Sequence, residues 1–247
     1  MSDILSIRQL HAGYGEGDIL KGIDVTLAAG NVVTIIGPNG SGKSTLLKTL
    51  AGLLTVRQGD IVLKGRSLKD LSPPKRVQAG LSYVPQEYNV FRNLTVLENL
   101  KIAREFMAGA KTRGDAVISD ELLELFPELP GKFKARAGNL SGGQRQMLAL
   151  ACALTVRPEV LMLDEPSTGL SPKYMTDIFE TVRKVNAKGV SVLMVEQNAI
   201  EALRISSTCV VMANGRVRMT APAGAVLGMQ DLHSLYLGDA REEAVAP

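Results

Sequence analysis

The densest chemistry in the sequence lies in one short run, Gly37-Pro38-Asn39-Gly40-Ser41-Gly42-Lys43-Ser44-Thr45. Its spacing is Gly-x-x-x-x-Gly-Lys-[Ser/Thr], a glycine-rich loop that ends in an amine and a hydroxyl. The glycines let the backbone curl so that successive N–H groups face inward, and a helix opening at the lysine adds its own unpaired donors. Lys43 supplies a mobile positive charge for the β- and γ-phosphates, and Ser44 a hydroxyl for Mg²⁺. The chemistry is therefore binding of a nucleoside triphosphate. A second pole lies at Leu161-Met162-Leu163-Asp164-Glu165. Asp164 ends an apolar run and can hold Mg²⁺, directly or through water; Glu165 beside it can polarise an attacking water as general base or positioning group. An Asp-Glu pair after a strand is usually a solvated strand end. Paired with the phosphate loop, it becomes a hydrolytic centre.

The elements around these residues fit that chemistry. Val32–Ile36 is a short β-branched run, expected as a buried strand feeding the loop, and residues 43–54 carry Leu46, Leu47, Leu50 and Leu54 at helix spacing. The Asp164 strand is expected beside the loop strand. Strands are also expected over residues 4–11, 18–27, 59–63, Leu81–Val84, 190–195, Thr208–Ala213 and 216–220, with a hairpin at Asn214-Gly215. Between 95 and 129 the apolar period becomes helical; Gly109 to Gly114 interrupts it and Pro127 and Pro130 end it. Thr95 and Glu98 form a capping box where that helix begins. Residues 175–186 form an amphipathic helix. The expected architecture is α/β: a mostly parallel, mixed sheet core with N-terminal antiparallel strands and an inserted helical lobe. The core covers residues 1–86 and 159–237, the lobe 87–158, and 238–247 is a frayed tail.

Composition narrows the classes. With 247 residues, 45% of them hydrophobic and 21% charged, the chain is a globular protein of one or two joined domains. No run of eighteen apolar residues exists, and Asp3 near the start argues against a secretory signal. A net charge of +3, no dense basic stripe and 4% aromatic residues argue against nucleic acid as a partner. Cys152 and Cys209 sit in apolar surroundings and are expected as buried packing thiols. His11 and His233 lack the neighbours of a metal site.

Leu140-Ser141-Gly142-Gly143-Gln144, placed between the phosphate loop and the Asp164 strand, completes a pattern that resembles the nucleotide-binding subunit of ATP-binding-cassette (ABC) transporters over roughly residues 3–237. Ser141, Gly142, Gly143 and Gln144 open a helix and form a second anion-binding end. The resemblance implies that this end closes over ATP held by the partner's loop in a two-fold, head-to-tail dimer. It implies that Tyr14 stacks on adenine and that Gln86 lies near Mg²⁺ and the attacking water. It also implies that the lobe near Gln86 to Leu100 receives a membrane permease. Two positions depart from the commonest pattern: Ser171 stands where relatives carry Asp, and Gln197 where they carry a switch histidine. Glutamine can donate a hydrogen bond to the γ-phosphate but cannot become a cation. Val195-Glu196-Gln197-Asn198, Gly169-Leu170-Ser171-Pro172 and Tyr236-Leu237-Gly238 resemble the LivF-type subunits of importers for branched-chain or other hydrophobic amino acids. The implied set is an ATPase using ATP and Mg²⁺, peripheral on the cytoplasmic face of the plasma membrane. Its partners are permease subunits, a LivG-like second ATPase or a second copy of itself, and indirectly a periplasmic solute-binding protein. A urea or amide importer, a lipid exporter and a soluble ABC ATPase are the competing readings.

Overall fold

A computed structural model describes residues 2–87, 89–107 and 118–229. The Gly109-to-Gly114 break, His233, Tyr236-Leu237-Gly238 and the expected tail at 238–247 lie outside the described residues. Two sheets carry the fold. Strands β1 (Asp3–Ala12), β2 (Leu20–Ala28), β4 (Gln58–Leu63) and β5 (Arg66–Ser67) form an antiparallel sheet in the order β2-β1-β4-β5. Strands β3 (Val32–Ile36), β6 (Leu81–Val84), β7 (Val160–Asp164), β8 (Ser191–Val195), β9 (Thr208–Ala213) and β10 (Arg216–Pro222) form the second, in the order β10-β9-β3-β8-β7-β6. All its neighbours are parallel except β9 and β10.

Strands β3, β7 and β8 are buried along their whole length, as parallel strands covered on both faces must be. Their side chains alternate between two apolar layers. Val33, Ile35, Met162, Leu193 and Val195 pack towards the antiparallel sheet and α1 (Lys43–Leu50). Leu161, Leu163, Val192 and Met194 pack towards α5 (Gly142–Leu154) and α6 (Pro172–Ala187). Helices α3 (Val96–Met107) and α4 (Asp120–Leu125) extend that second layer, and Thr95 and Glu98 form the expected capping box at the start of α3. The remaining helices, α2 (Pro73–Gln78), α7 (Ala199–Arg204) and α8 (Ala223–Leu227), are short.

The structure corrects the sequence expectation at several points. The Asp164 strand β7 is not beside the loop strand β3; β8 lies between them. Both β7 and β8 are apolar runs of the same length, so hydrophobicity alone does not order them. The expected helix to residue 54 stops at Leu50. Gly52 turns the chain with φ of 81° and returns its N–H to Thr49 O at 3.0 Å, leaving Leu53 exposed. Helix α6 begins three residues earlier than expected, because Ser171-Pro172 supplies a start.

Two features steady the phosphate loop. Asn214 and Gly215 both take positive φ, 52° and 74°, as a two-residue hairpin of type I′ requires. That turn reaches the loop: the Gly215 N–H donates to Ser41 O at 3.0 Å, and a Cβ on Gly215 would lie 1.8 Å from Ile19 O. At the other end of α1, the buried Arg76 of α2 donates to Thr49 O at 2.7 Å and Leu50 O at 2.8 Å, and also to Leu71 O and Lys69 O. Burial lowers the pKa of its guanidinium, which nonetheless satisfies the orphan carbonyls of the helix end. Replacing it by an apolar chain removes the Arg76 donor from Leu50 O and leaves Thr49 O with the Gly52 N–H alone. Arg76→Met is expected to lower unfolding free energy by about 3 kcal/mol in urea titrations; an unchanged midpoint would show that the helix end needs no such staple.

Candidate functional site

The carboxyl ends of β3, β6, β7 and β8 open on one crevice of about 390 Å³. It is lined by Asn39, Gly40, Gly42, Lys43, Ser44, Thr45, Gln86, Glu165 and Gln197, together with Ile19. The loop hugs β9 so closely that a Cβ on Gly37 would lie 2.1 Å from Met212 O. Gly42 starts α1 with φ of 101°. Lys43 is buried and donates to Gly37 O at 2.8 Å and Pro38 O at 3.0 Å. Burial lowers its pKa, while the carboxylates of Glu165 and Asp164 oppose that shift. Ser41 Oγ is buried with no hydrogen-bond partner among the described residues. It faces Gly37, where a Cβ would lie 3.0 Å from it, and does not line the crevice; the buried Lys43 ammonium at the start of α1 is what fits an anion there.

The second pole meets the first through a hydrogen bond 120 residues long in sequence. Ser44 Oγ donates to Asp164 Oδ1 at 2.8 Å. Tyr83, on β6, donates its hydroxyl to Asp164 Oδ2 at 2.9 Å. Burial raises the pKa of Asp164, and those two hydrogen bonds pull it back. Burial and the adjacent Asp164 charge raise that of Tyr83. A carboxylate and a hydroxyl facing a phosphate cradle are the hard oxygen donors that suit Mg²⁺. Tyr83 was not singled out from the sequence, although it stands three residues before Gln86; only the pairing of β6 with β7 brings it to Asp164.

Glu165 sits at φ of 48° with its N–H bound to Val195 O at 2.9 Å. Its carboxylate collects three side chains. Gln86 Nε2 donates at 2.9 Å, Thr168 Oγ1 at 3.1 Å, and Gln197 Nε2 at 3.0 and 3.1 Å to the two oxygens. The Gln197 amide also donates to Asn39 Oδ1 at 3.0 Å, so it bridges the phosphate loop and Glu165. The structure thus brings Gln86, Glu165 and Gln197 together with the loop and Asp164.

It does not bring Ser141, Gly142, Gly143 and Gln144 to that crevice. They open α5, where Ser141 Oγ accepts from the Gln144 N–H and Gln144 Oε1 accepts from the Ser141 N–H. Gly143 lies against Tyr174 of α6; a Cβ there would be 2.2 Å from the ring. Tyr14 also lies outside the crevice, half exposed, with Lys48 Nζ 3.5 Å from its hydroxyl. Arg57 holds the loop around it, donating to Gly15 O, Glu16 O and Asp18 Oδ1; Asp18 in turn lies 3.2 Å from His11 Nδ1. Among the described residues no group of His, Cys, Asp and Glu forms a metal cluster. Cys209 is buried as expected, but Cys152 is only partly so; burial pushes both thiols up to about 12, where they are inert.

The profile of the family described as ABC transporter matches residues 20–168. The chain belongs to the ABC transporter family. A probable branched-chain amino acid transport ATP-binding protein LivF of Archaeoglobus fulgidus is 43% identical over 93% of this chain and 97% of its own. The high-affinity branched-chain amino acid transport ATP-binding protein BraG of Pseudomonas aeruginosa is 40% identical over 95% of this chain and all of its own. The crystal structure of the ADP conformation of MJ1267, an ATP-binding cassette of an ABC transporter, superposes with a TM-score of 0.82. It is 27% identical, over 97% of this chain and 100% of that one. This ABC protein is an ATP-hydrolysing transporter subunit that takes ATP with Mg²⁺. No helix among the described residues is long and apolar enough to cross a membrane.

One buried carboxylate near the crevice was not singled out from the sequence. Glu196 is fully buried, and burial pushes its pKa up to about 7 against four hydrogen bonds that pull it down. In the unfolded chain it ionises near its ordinary value of 4.5. Between those two values the unfolded state has lost a proton that the folded state retains, so stability falls as pH rises through that window. Urea midpoints are expected to fall from pH 5 to 7.5 more steeply for the native chain than for Glu196→Gln; parallel slopes would show that the carboxyl ionises normally.

Proposed function

We propose that the chain powers a membrane importer for branched-chain or other hydrophobic amino acids. The observation that carries this reading is the pair of full-length relatives, 43% and 40% identical, both named for branched-chain amino acid transport. On this reading the chain sits on the cytoplasmic face of the membrane, bound to permease subunits. It pairs with a LivG-like ATPase or with a second copy of itself, and a periplasmic binding protein delivers the solute. Residues 1–86 and 159–237 act as the ATP-binding core and 87–158 as the lobe that meets the permease.

The residues of the crevice take the following parts. The backbone N–H groups of Gly40, Gly42, Lys43, Ser44 and Thr45 and the Lys43 ammonium bind the β- and γ-phosphates. Tyr14 offers its exposed ring to the adenine. Ser44 and Asp164 would hold Mg²⁺, with Gln86 nearby; when bound, the ion would supply charge neutralisation at the phosphate. Glu165 takes the proton of the attacking water, and Gln197 gives its amide N–H to the γ-phosphate. Ser141, Gly142, Gly143 and Gln144 lie outside their own chain's crevice, which supports their use across a head-to-tail dimer. Each would then cap a nucleotide held by the partner.

Two experiments test this. Glu165→Gln keeps the carboxylate's shape and removes its basicity; kcat should fall at least about a hundredfold while ATP binding, read by equilibrium titration, holds. A residual rate near that of the native chain would take Glu165 out of the reaction. Reconstitution with the neighbouring permeases in vesicles should give leucine uptake that requires ATP and this chain. Uptake of no hydrophobic amino acid, with ATPase activity intact, would overturn the substrate assignment alone.

A further inference from the structure

Glu196 follows the last residue of β8, is fully buried, and has no part in the chemistry assigned above. All the hydrogen bonds of its carboxylate go to two segments, one 29 residues back along the chain and one that follows it directly. Oε1 accepts the Ser167 N–H at 2.9 Å. Oε2 accepts the Ser167 hydroxyl at 2.9 Å, the Gln197 N–H at 3.1 Å and the Asn198 N–H at 3.4 Å. Asn198 Nδ2 closes the ring by donating to Ser167 Oγ at 2.8 Å.

The two segments it joins are those that carry the reacting groups. Ser167 stands two residues after Glu165, and its neighbour Thr168 donates to the Glu165 carboxylate. On the other segment, Gln197 follows Glu196 directly and donates its side-chain amide to Glu165 and Asn39. A buried carboxylate is a poor means of filling space, because an apolar chain of similar volume is often at least as stable there. What a carboxylate offers is two acceptor oxygens that hold several donors at fixed positions at once.

We infer that Glu196 is a positioning residue for ATP hydrolysis: its carboxylate ties the 166–168 segment to Gln197, so that Glu165 and the Gln197 amide meet one γ-phosphate in fixed register. This rests on the roles proposed for Glu165 and Gln197.

The isosteric Glu196→Gln breaks the tie, since the new NH₂ must face either the Ser167 N–H or the N–H groups of Gln197 and Asn198. In the purified full chain, kcat should fall about tenfold with KM for ATP within about twofold. Binding of a fluorescent ATP analogue should be unchanged. Amide exchange should quicken at 167–168 and 197–198 and not in α1. In a Gln197→Ala background the same substitution should lower kcat less than about threefold, because the group it positions is gone. A native kcat in folded Glu196→Gln, or the full tenfold loss in both backgrounds, would overturn the inference. If Gln197→Ala alone keeps native kcat, the reading of Gln197 fails instead; Glu196 is then judged by the kcat loss and by exchange at 167–168. Should Glu196→Gln not fold, Ser167→Ala removes only the hydroxyl link and is expected to lower kcat about threefold; native kcat there would count against the tie.

Discussion

The site depends on one carboxylate receiving hydrogen bonds from three different parts of the chain. Glu165 takes the Gln86 amide from beyond β6, the Thr168 hydroxyl from its own turn and the Gln197 amide from beyond β8. Those donors converge only because β6, β7 and β8 run parallel side by side and end at the same level. The positive φ of Glu165 places its side chain at that level and is held by its N–H bond to Val195 O. Backbone strain of this kind costs on the order of 1–3 kcal/mol and persists where surrounding contacts fix it.

Around that carboxylate the structure buries charge in opposed pairs. The Lys43 ammonium is desolvated, which lowers its pKa, and the carboxylates of Glu165 and Asp164 oppose that shift. Asp164 is desolvated in the opposite sense and is steadied by Ser44 and Tyr83. In each case neighbouring groups oppose the shift that burial imposes. Such an arrangement is preorganised for a triphosphate, because the donors need little reorganisation to meet it.

Much of this was legible in the residues. The phosphate loop announced itself by spacing, and its strand and helix followed from the apolar runs on either side. Glu165 stood out as an acid after an apolar strand and Gln86 and Gln197 through the family resemblance, but their mutual hydrogen bonds were not foreseen. Strand order was not legible, because β7 and β8 are equally apolar and pairing leaves no mark on a single strand. Tyr83 and Glu196 were missed for a related reason. Each matters through a partner on a neighbouring strand end, Asp164 in one case and Ser167 in the other. Arg76 escaped notice because one arginine in a short polar stretch gives no sign that it will end up under the C-terminus of α1.

The departures from the common family pattern also acquire a physical setting. Gln197 lies where it reaches both Asn39 of the loop and Glu165, so an uncharged amide spans the distance a histidine would. Ser171 serves as the residue that starts α6, with its backbone rather than its hydroxyl engaged there. The proposed part of Gln197 is to link the phosphate loop, Glu165 and the γ-phosphate. It is tested most directly by the crystal structure of this chain with Mg²⁺ and a non-hydrolysable ATP analogue. The expected result is the Gln197 amide within hydrogen-bond distance of the terminal phosphate, with Glu165 facing the same group. A terminal phosphate seated in the loop but out of reach of Gln197, with that amide still on Glu165 alone, would contradict it.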